Sequence, residues 1–222
     1  MRRLKFTLEY DGTPYLGWQR VHAGASVQGE IEKALLHMTS ETLTLAAAGR
    51  TDKGVHALAQ VAHMDVQSAM PLWKFLDGTN ALIPNNIVIS KVEEVTPNFH
   101  ARFSATARRY RYLLYNRRQN TALWENRVGL VRAPLDIAAM QAALATLPLG
   151  EGDWSAFRSS TCTSSTPMCF IQNMSLRPWG EAHGAENMWV FEVEANHFLH
   201  HMVRTMVGTL VEVGLGQRSI ES

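Results

Sequence analysis

Cysteine is scarce in this 222-residue chain: Cys162 and Cys169 are the only two. That excludes a disulfide framework, and their spacing is unlike a paired zinc knuckle. No apolar run approaches the roughly 18 residues that span a bilayer. The opening Met1-Arg2-Arg3-Leu4-Lys5 has no apolar h-region, so a cytoplasmic protein without a membrane segment is expected. Also absent are a Walker glycine loop, a Gly-x-Gly-x-x-Gly turn and a Gly-x-Ser-x-Gly elbow, which leaves a nucleotide cofactor without support. Large net charge is missing too, at +1 overall.

What is present is ordinary globular material, 46% hydrophobic and 18% charged. The length suits one large domain or two smaller ones. The charge distribution says more than the sum. From Val95 to Trp124 there is no Asp or Glu, while Arg102, Arg108, Arg109, Arg111, Arg117 and Arg118 all fall in that stretch. A locally basic face is therefore predicted.

Leu4, Phe6, Leu8 and Tyr10 alternate with polar residues, which predicts a half-buried first strand. Asp11-Gly12-Thr13-Pro14 ends it as a turn, and Ser26 caps a helix running to about Thr39. Leu43 to Ala48 and Val55 to Val66 read as strands flanking the loop Gly49-Arg50-Thr51-Asp52-Lys53-Gly54. Pro71 to Leu82 predicts a short helix and Asn86 to Val95 another strand. A second half begins near Ser104, giving halves 1–103 and 104–222. It holds strands at Arg109 to Tyr115, Cys169 to Arg177 and Met188 to Ala195, and helices at Asp136 to Leu147 and Phe198 to Val213. Gly150-Glu151-Gly152 reads as a polar loop. The mixture predicts an α+β fold.

The glycines around Arg50, Thr51, Asp52 and Lys53 allow a tight path that presents the Asp52 carboxylate at an edge. The flanking cations favour its ionised form, suited to a nucleophile, base or electrostatic group. Taken alone, the same residues fit a plain turn with a surface ion pair. In Arg108-Arg109-Tyr110-Arg111-Tyr112, strand period puts Arg109 and Arg111 on one face and Tyr110 and Tyr112 on the other. Such a strand can pair phosphates and stack bases, or face two tyrosines to a core. In the last helix Arg204 falls at the edge of an apolar arc and needs a counter-charge or a route to water. His197, His200 and His201 with the two cysteines raise a metal site, which their spacing does not favour.

Separated segments in order along the chain resemble the tRNA pseudouridine synthase A family. They are Tyr10-Asp11-Gly12-Thr13 with Gly17-Trp18-Gln19; Ala48 to Ala57 around Asp52; Phe99-His100-Ala101-Arg102-Phe103-Ser104-Ala105 with Tyr110-Arg111-Tyr112; Phe157-Arg158; and Phe198 to Thr209. The resemblance implies two related α+β halves sharing an extended antiparallel sheet, helices on one side and the active site in a cleft between the halves. It implies a homodimer that converts uridines at positions conventionally numbered 38 to 40 of the tRNA anticodon stem-loop to pseudouridine, without cofactor or metal.

By the same resemblance Asp52 is the catalytic carboxylate, attacking ribose C1′ or removing the C2′ proton. Tyr110 stacks on the target uracil, Arg204 pairs with the Asp, and Arg50 helps extrude the nucleotide. Arg109, Arg111 and Arg158 join Arg50 as expected substrate contacts. The sequence departs from the family at Met168-Cys169, where relatives often carry a basic residue. It also ends at Ser222, whereas the family usually continues for a few tens of residues, so a closing strand is expected to be missing. Two rivals remain at this stage: a non-catalytic RNA-binding module and a metal-dependent hydrolase using the histidines.

Overall fold

The computed structural model describes residues 1–22, 24–180 and 186–220, so Glu221 and the terminal Ser222 lie outside it. The chain forms two compact α+β units, Met1–Thr106 and Ala107–Ser222, each with its own sheet. Among the described residues no helix is long and apolar enough to cross a membrane.

In the first unit, β1 (Arg2–Tyr10), β2 (Ala46–Ala47), β3 (Ala57–Val66) and β4 (Ile87–Val95) form an antiparallel sheet in the order β2-β3-β1-β4. The period-two pattern of β1 works as expected, because Leu4, Phe6, Leu8 and Tyr10 all point into the core. Burying each such side chain stabilises the fold by about 1.5–3 kcal/mol. The alternate residues make cross-strand ion pairs, with Arg3 on Asp65 at 2.7 Å and Lys5 on Glu93 at 2.7 Å. Helices α1 (Val27–Thr39) and α2 (Leu72–Leu82) supply Val27, Ile31, Leu35 and Phe75 to the same core. Ser26 caps α1 as its sequence signal requires, its hydroxyl accepting from the Gly29 amide at 3.2 Å.

The strand expected over Leu43 to Ala48 forms only at Ala46 and Ala47, with the Ala48 amide adding one bond to the Val61 carbonyl at 2.8 Å. The cause lies on α1. Buried Glu32 accepts the Leu45 amide at 2.9 Å, and Gln28 donates to the Leu45 carbonyl at 3.2 Å. These side chains satisfy the backbone groups that a longer ladder would have used.

In the second unit, β5 (Arg108–Asn116), β6 (Gly129–Val131), β7 (Gly150–Asp153), β8 (Met168–Pro178) and β9 (Met188–Ala195) take the order β6-β5-β9-β8-β7. Among the described residues only β5 and β6 run parallel. The segment read as a polar loop at Gly150-Glu151-Gly152 is instead β7, an edge strand paired with β8. Its glycines weakened the strand pattern, and pairing with β8 overrides that local preference. Short β6 was likewise not expected from the sequence.

Helices α3 (Ile137–Thr146) and α4 (Met202–Gly214) pack Met140, Leu144, Met206 and Leu210 around Ile171, Phe191 and Val193. Helix α4 starts four residues later than its periodicity suggests. His201 adopts a left-handed conformation at φ 62°, and the Met202 amide closes a turn on the Leu199 carbonyl, so Phe198 to His201 form a bend.

Candidate active site

The loop between β2 and β3 is held at Gly49 and Thr51 by groups from elsewhere in the first unit. The Asp52 carbonyl accepts the Val55 amide at 3.2 Å across a turn whose third residue, Gly54, has φ 76°. That is the geometry of a type II turn, which requires a positive φ there. Asp52 thus opens a turn, as local chemistry alone suggested. Its half-buried carboxylate is nevertheless carried on a constrained path, with Arg50 and Lys53 exposed on either side.

The anchors come from three directions. The Trp18 amide donates to the Thr51 carbonyl at 3.0 Å, while the Trp18 carbonyl accepts the Gln28 amide of α1, also at 3.0 Å. Trp18 is fully buried, so it ties the loop to the start of a helix. From β1, the Tyr10 hydroxyl meets Thr51 Oγ1 at 2.8 Å. From β3, Gln60 Nε2 donates to the Gly49 carbonyl at 2.7 Å.

Two glycines make this closeness possible. A Cβ on Gly17, whose φ is 113°, would stand 2.6 Å from the Thr51 carbonyl oxygen, and one on Gly12 would stand 2.1 Å from that of Val55. Neither contact is physically tolerable, so the segment Asp11 to Trp18 must carry glycine where it crosses the loop. Beside that crossing, His56 Nδ1 lies 3.2 Å from the Gly12 amide and 3.1 Å from an Asp11 oxygen. Asp11 also accepts from the Thr13 amide and hydroxyl, at 2.9 and 2.6 Å.

In the second unit Tyr110 sits on β5, half-buried, its ring edge-to-face with Phe198 at 5.0 Å between centroids. The expected alternation of this strand is present, with Arg109 and Arg111 on the exposed face. Within the protein both meet carboxylates. Arg109 pairs with Glu194 at 2.6 Å and Arg111 pairs with Glu192, both on the adjacent β9. The neighbouring Arg111 guanidinium holds the Glu192 carboxyl below its usual range, and Glu194 raises Arg109. The acid-free stretch of sequence is therefore not an acid-free surface, because β9 lays two glutamates beside it.

Arg204 is exposed in the first turn of α4, at the edge of the apolar arc. Arg158, another expected substrate contact, donates to the carbonyls of Cys162 at 3.0 Å and Ser164 at 2.6 Å, pinning its own loop. Cys162 Sγ accepts the His200 amide at 3.4 Å. Backbone donors from Ser164 and His200 lower the Cys162 thiol, while burial pushes Cys169 up to about 11. Cys169 lies 3.5 Å from His197, and the rings of His200 and His201 stack at 3.8 Å. The Thr161 hydroxyl meets His200 Nδ1 at 3.1 Å, so this histidine braces the loop that Arg158 pins.

Sequence reasoning singled out Asp52 and its flanking cations but gave no role to Tyr10, Gln60, Gly12 or Gly17.

The model of the tRNA pseudouridine synthase family matches residues 7–104 and 144–222. The chain is 44% identical over 214 residues to tRNA pseudouridine synthase A of Dechloromonas aromatica, covering 96% of this chain and 79% of that protein. A second protein of that name, from Haemophilus ducreyi, is also 44% identical over 214 residues, with the same coverage. The one from Hydrogenovibrio crunogenus is 42% identical over 221 residues, spanning this whole chain and 82% of its own. With the anchored Asp52 loop inside the matched region, the chain belongs to the tRNA pseudouridine synthase family.

Proposed function

We propose that this protein isomerises uridine to pseudouridine in tRNA, at positions 38 to 40 of the anticodon stem-loop, with Asp52 as the catalytic carboxylate. The observation that carries the reading is the Asp52 loop, whose residues leading into Asp52, Gly49 and Thr51, are fixed by Tyr10, Trp18 and Gln60 inside a chain of this family. A carboxylate carried on a backbone held this way is preorganised for reaction at one atom of a bound nucleotide.

The isomerisation breaks the N1–C1′ bond, turns the uracil and joins C5 to C1′. The C5 proton is then lost and N1 gains one, so atoms balance without an external reagent. Asp52 serves either as nucleophile at C1′ or as base toward the C2′ proton, and both routes use its ionised form. Tyr110 offers a ring for the target base, which must leave the helical stack to reach it. Its edge-to-face contact with Phe198 supports this role by fixing the ring plane. Arg50 and Arg204, both exposed, are the cations assigned to nucleotide extrusion and to Asp52. Arg109, Arg111 and Arg158 are further substrate contacts, held ready on Glu194, Glu192 and the Cys162 and Ser164 carbonyls. The protein works as a cytoplasmic homodimer, needing neither metal nor cofactor.

The test uses tRNA carrying tritium at uracil C5. The wild-type protein is expected to release tritium into water, and Asp52→Asn to abolish release while still binding tRNA. Release by Asp52→Asn at the unmutated rate would sink the assignment. Binding without any release by the wild-type protein would favour an RNA-binding module instead, and inhibition by a chelator would favour a metal-dependent enzyme.

A further inference from the structure

Asp52 has neighbours whose contacts with its loop are unusual for groups that merely fill a core. Tyr10 is the last inward residue of β1, only 4% exposed, yet its hydroxyl reaches out of the core to Thr51 Oγ1 at 2.8 Å. Gln60 on the adjoining β3 donates to the Gly49 carbonyl at 2.7 Å and lies 3.5 Å from the Tyr10 oxygen. A carbonyl can only accept, so the Gln60 amide nitrogen must face Gly49. The same NH2 group then points a hydrogen at the Tyr10 oxygen, whose hydroxyl shares its other hydrogen bond with Thr51 Oγ1. Burial pushes the tyrosine hydroxyl up, which keeps it neutral. The two residues therefore form a relay that ends one peptide before Asp52.

We propose that Tyr10 and Gln60 are positioning residues for Asp52, fixing the reach of its carboxylate through Thr51 and Gly49. This inference rests on the reading of Asp52 as the catalytic group. β1 and β3 are hydrogen-bonded neighbours, with Leu8 opposite Gln60 and Tyr10 opposite Ala57 across an irregularity that shifts the register by one residue, so the pairing of these two strands sets both anchors. Together with Trp18 on the Thr51 carbonyl, they hold the residue before Asp52 by both its backbone and its side chain. Releasing Thr51 lets the carboxylate move by a fraction of an ångström to an ångström. A shift of that size costs about a hundredfold in rate when reacting atoms must align.

The experiment measures single-turnover tritium release and tRNA affinity separately, on the full chain. Thr51→Val removes the Tyr10–Thr51 hydrogen bond, Tyr10→Phe removes that bond and the contact from Gln60, and Gln60→Glu removes the donor to Gly49 and Tyr10, each with little change of shape. Each is expected to slow turnover by about ten- to a hundredfold, with tRNA affinity within about twofold of wild type. Thr51→Ser keeps the hydroxyl and should restore most of the rate. Tyr10→Phe combined with Thr51→Val should be no slower than the worse single variant, because both break the same bond.

Wild-type turnover in Tyr10→Phe and Thr51→Val overturns the inference. So does a rate loss that saturating tRNA abolishes, or an equal loss in Thr51→Ser and Thr51→Val. If Asp52→Asn releases tritium normally, the functional reading itself falls and this inference with it. If Asp52→Asn is inactive and the Tyr10 and Thr51 variants are not, only the inference falls.

Discussion

The two units hold their proposed site residues by opposite means. In the first, Asp52 rides on an irregular loop whose path depends on a segment passing within contact distance of it, and that passage tolerates no side chain at Gly12 or Gly17. In the second, Tyr110 and Arg204 project from a strand and a helix, whose backbone geometry is set by their own ladders and not by a distant crossing. Regular elements tolerate change at a distance. A loop positioned by close approach transmits a remote change of one methyl group directly to its functional residue.

The sharpest way to break this contrast is Gly17→Ala. The added methyl meets the Thr51 carbonyl, and an L-residue at φ 113° is strained as well. The variant is expected to lose more than about 2 kcal/mol of stability in urea denaturation and nearly all tritium release. A stable, active Gly17→Ala would show that the segment is not a fixed brace.

Acid should have a smaller effect, and it reaches both units. His63 is buried on β3, its Nδ1 accepting the Ala101 amide at 3.1 Å, and burial lowers its pKa. His197 in the second unit is lowered by burial as well. Below a pH of about 6.5 the unfolded chain takes up protons that these folded histidines resist. Their contribution to stability is thus full above that pH and is lost as the pH falls toward the depressed folded values. Urea midpoints should fall between pH 7 and pH 5.5, and ring resonances resolved by residue should separate His63 from His197. A His63 resonance titrating at or above its ordinary value would contradict the expectation for the first unit.

The smallest effect is the counterpart of the first. Gly208 lies in α4, exposed, and a Cβ there would meet nothing within 4 Å. Gly208→Ala should raise stability by about 0.5–1 kcal/mol through helix propensity alone, read from the same urea curves. A loss instead would place a close neighbour at that position and narrow the difference between the units.

Much of the fold was legible because burial imposes a period. Leu4, Phe6, Leu8 and Tyr10 announced β1, and Ser26 announced α1, since both signals arise from residues near in sequence. The departures share a cause in partners that are distant in sequence. β2 is short because Glu32 and Gln28 take the Leu45 backbone, and β7 exists because β8 offers it a partner. At the candidate site, Arg109 and Arg111 looked free for phosphate because no acid was near in sequence. Glu194 and Glu192 reach them from more than 80 residues away.

The sequence by itself determined that an aspartate flanked by Arg50 and Lys53 lies on a glycine-bounded turn, because turn chemistry is local. It also determined that Tyr110 faces away from Arg109 and Arg111, because a strand alternates. Only the tertiary structure decided that Thr51 is gripped by Tyr10 and Trp18, that Gln60 holds Gly49, and that Gly17 must have no side chain. Those are contacts between segments that the chain brings together only when the core of the first unit closes. No local pattern encodes the distance between a glycine and a carbonyl 34 residues further along the chain.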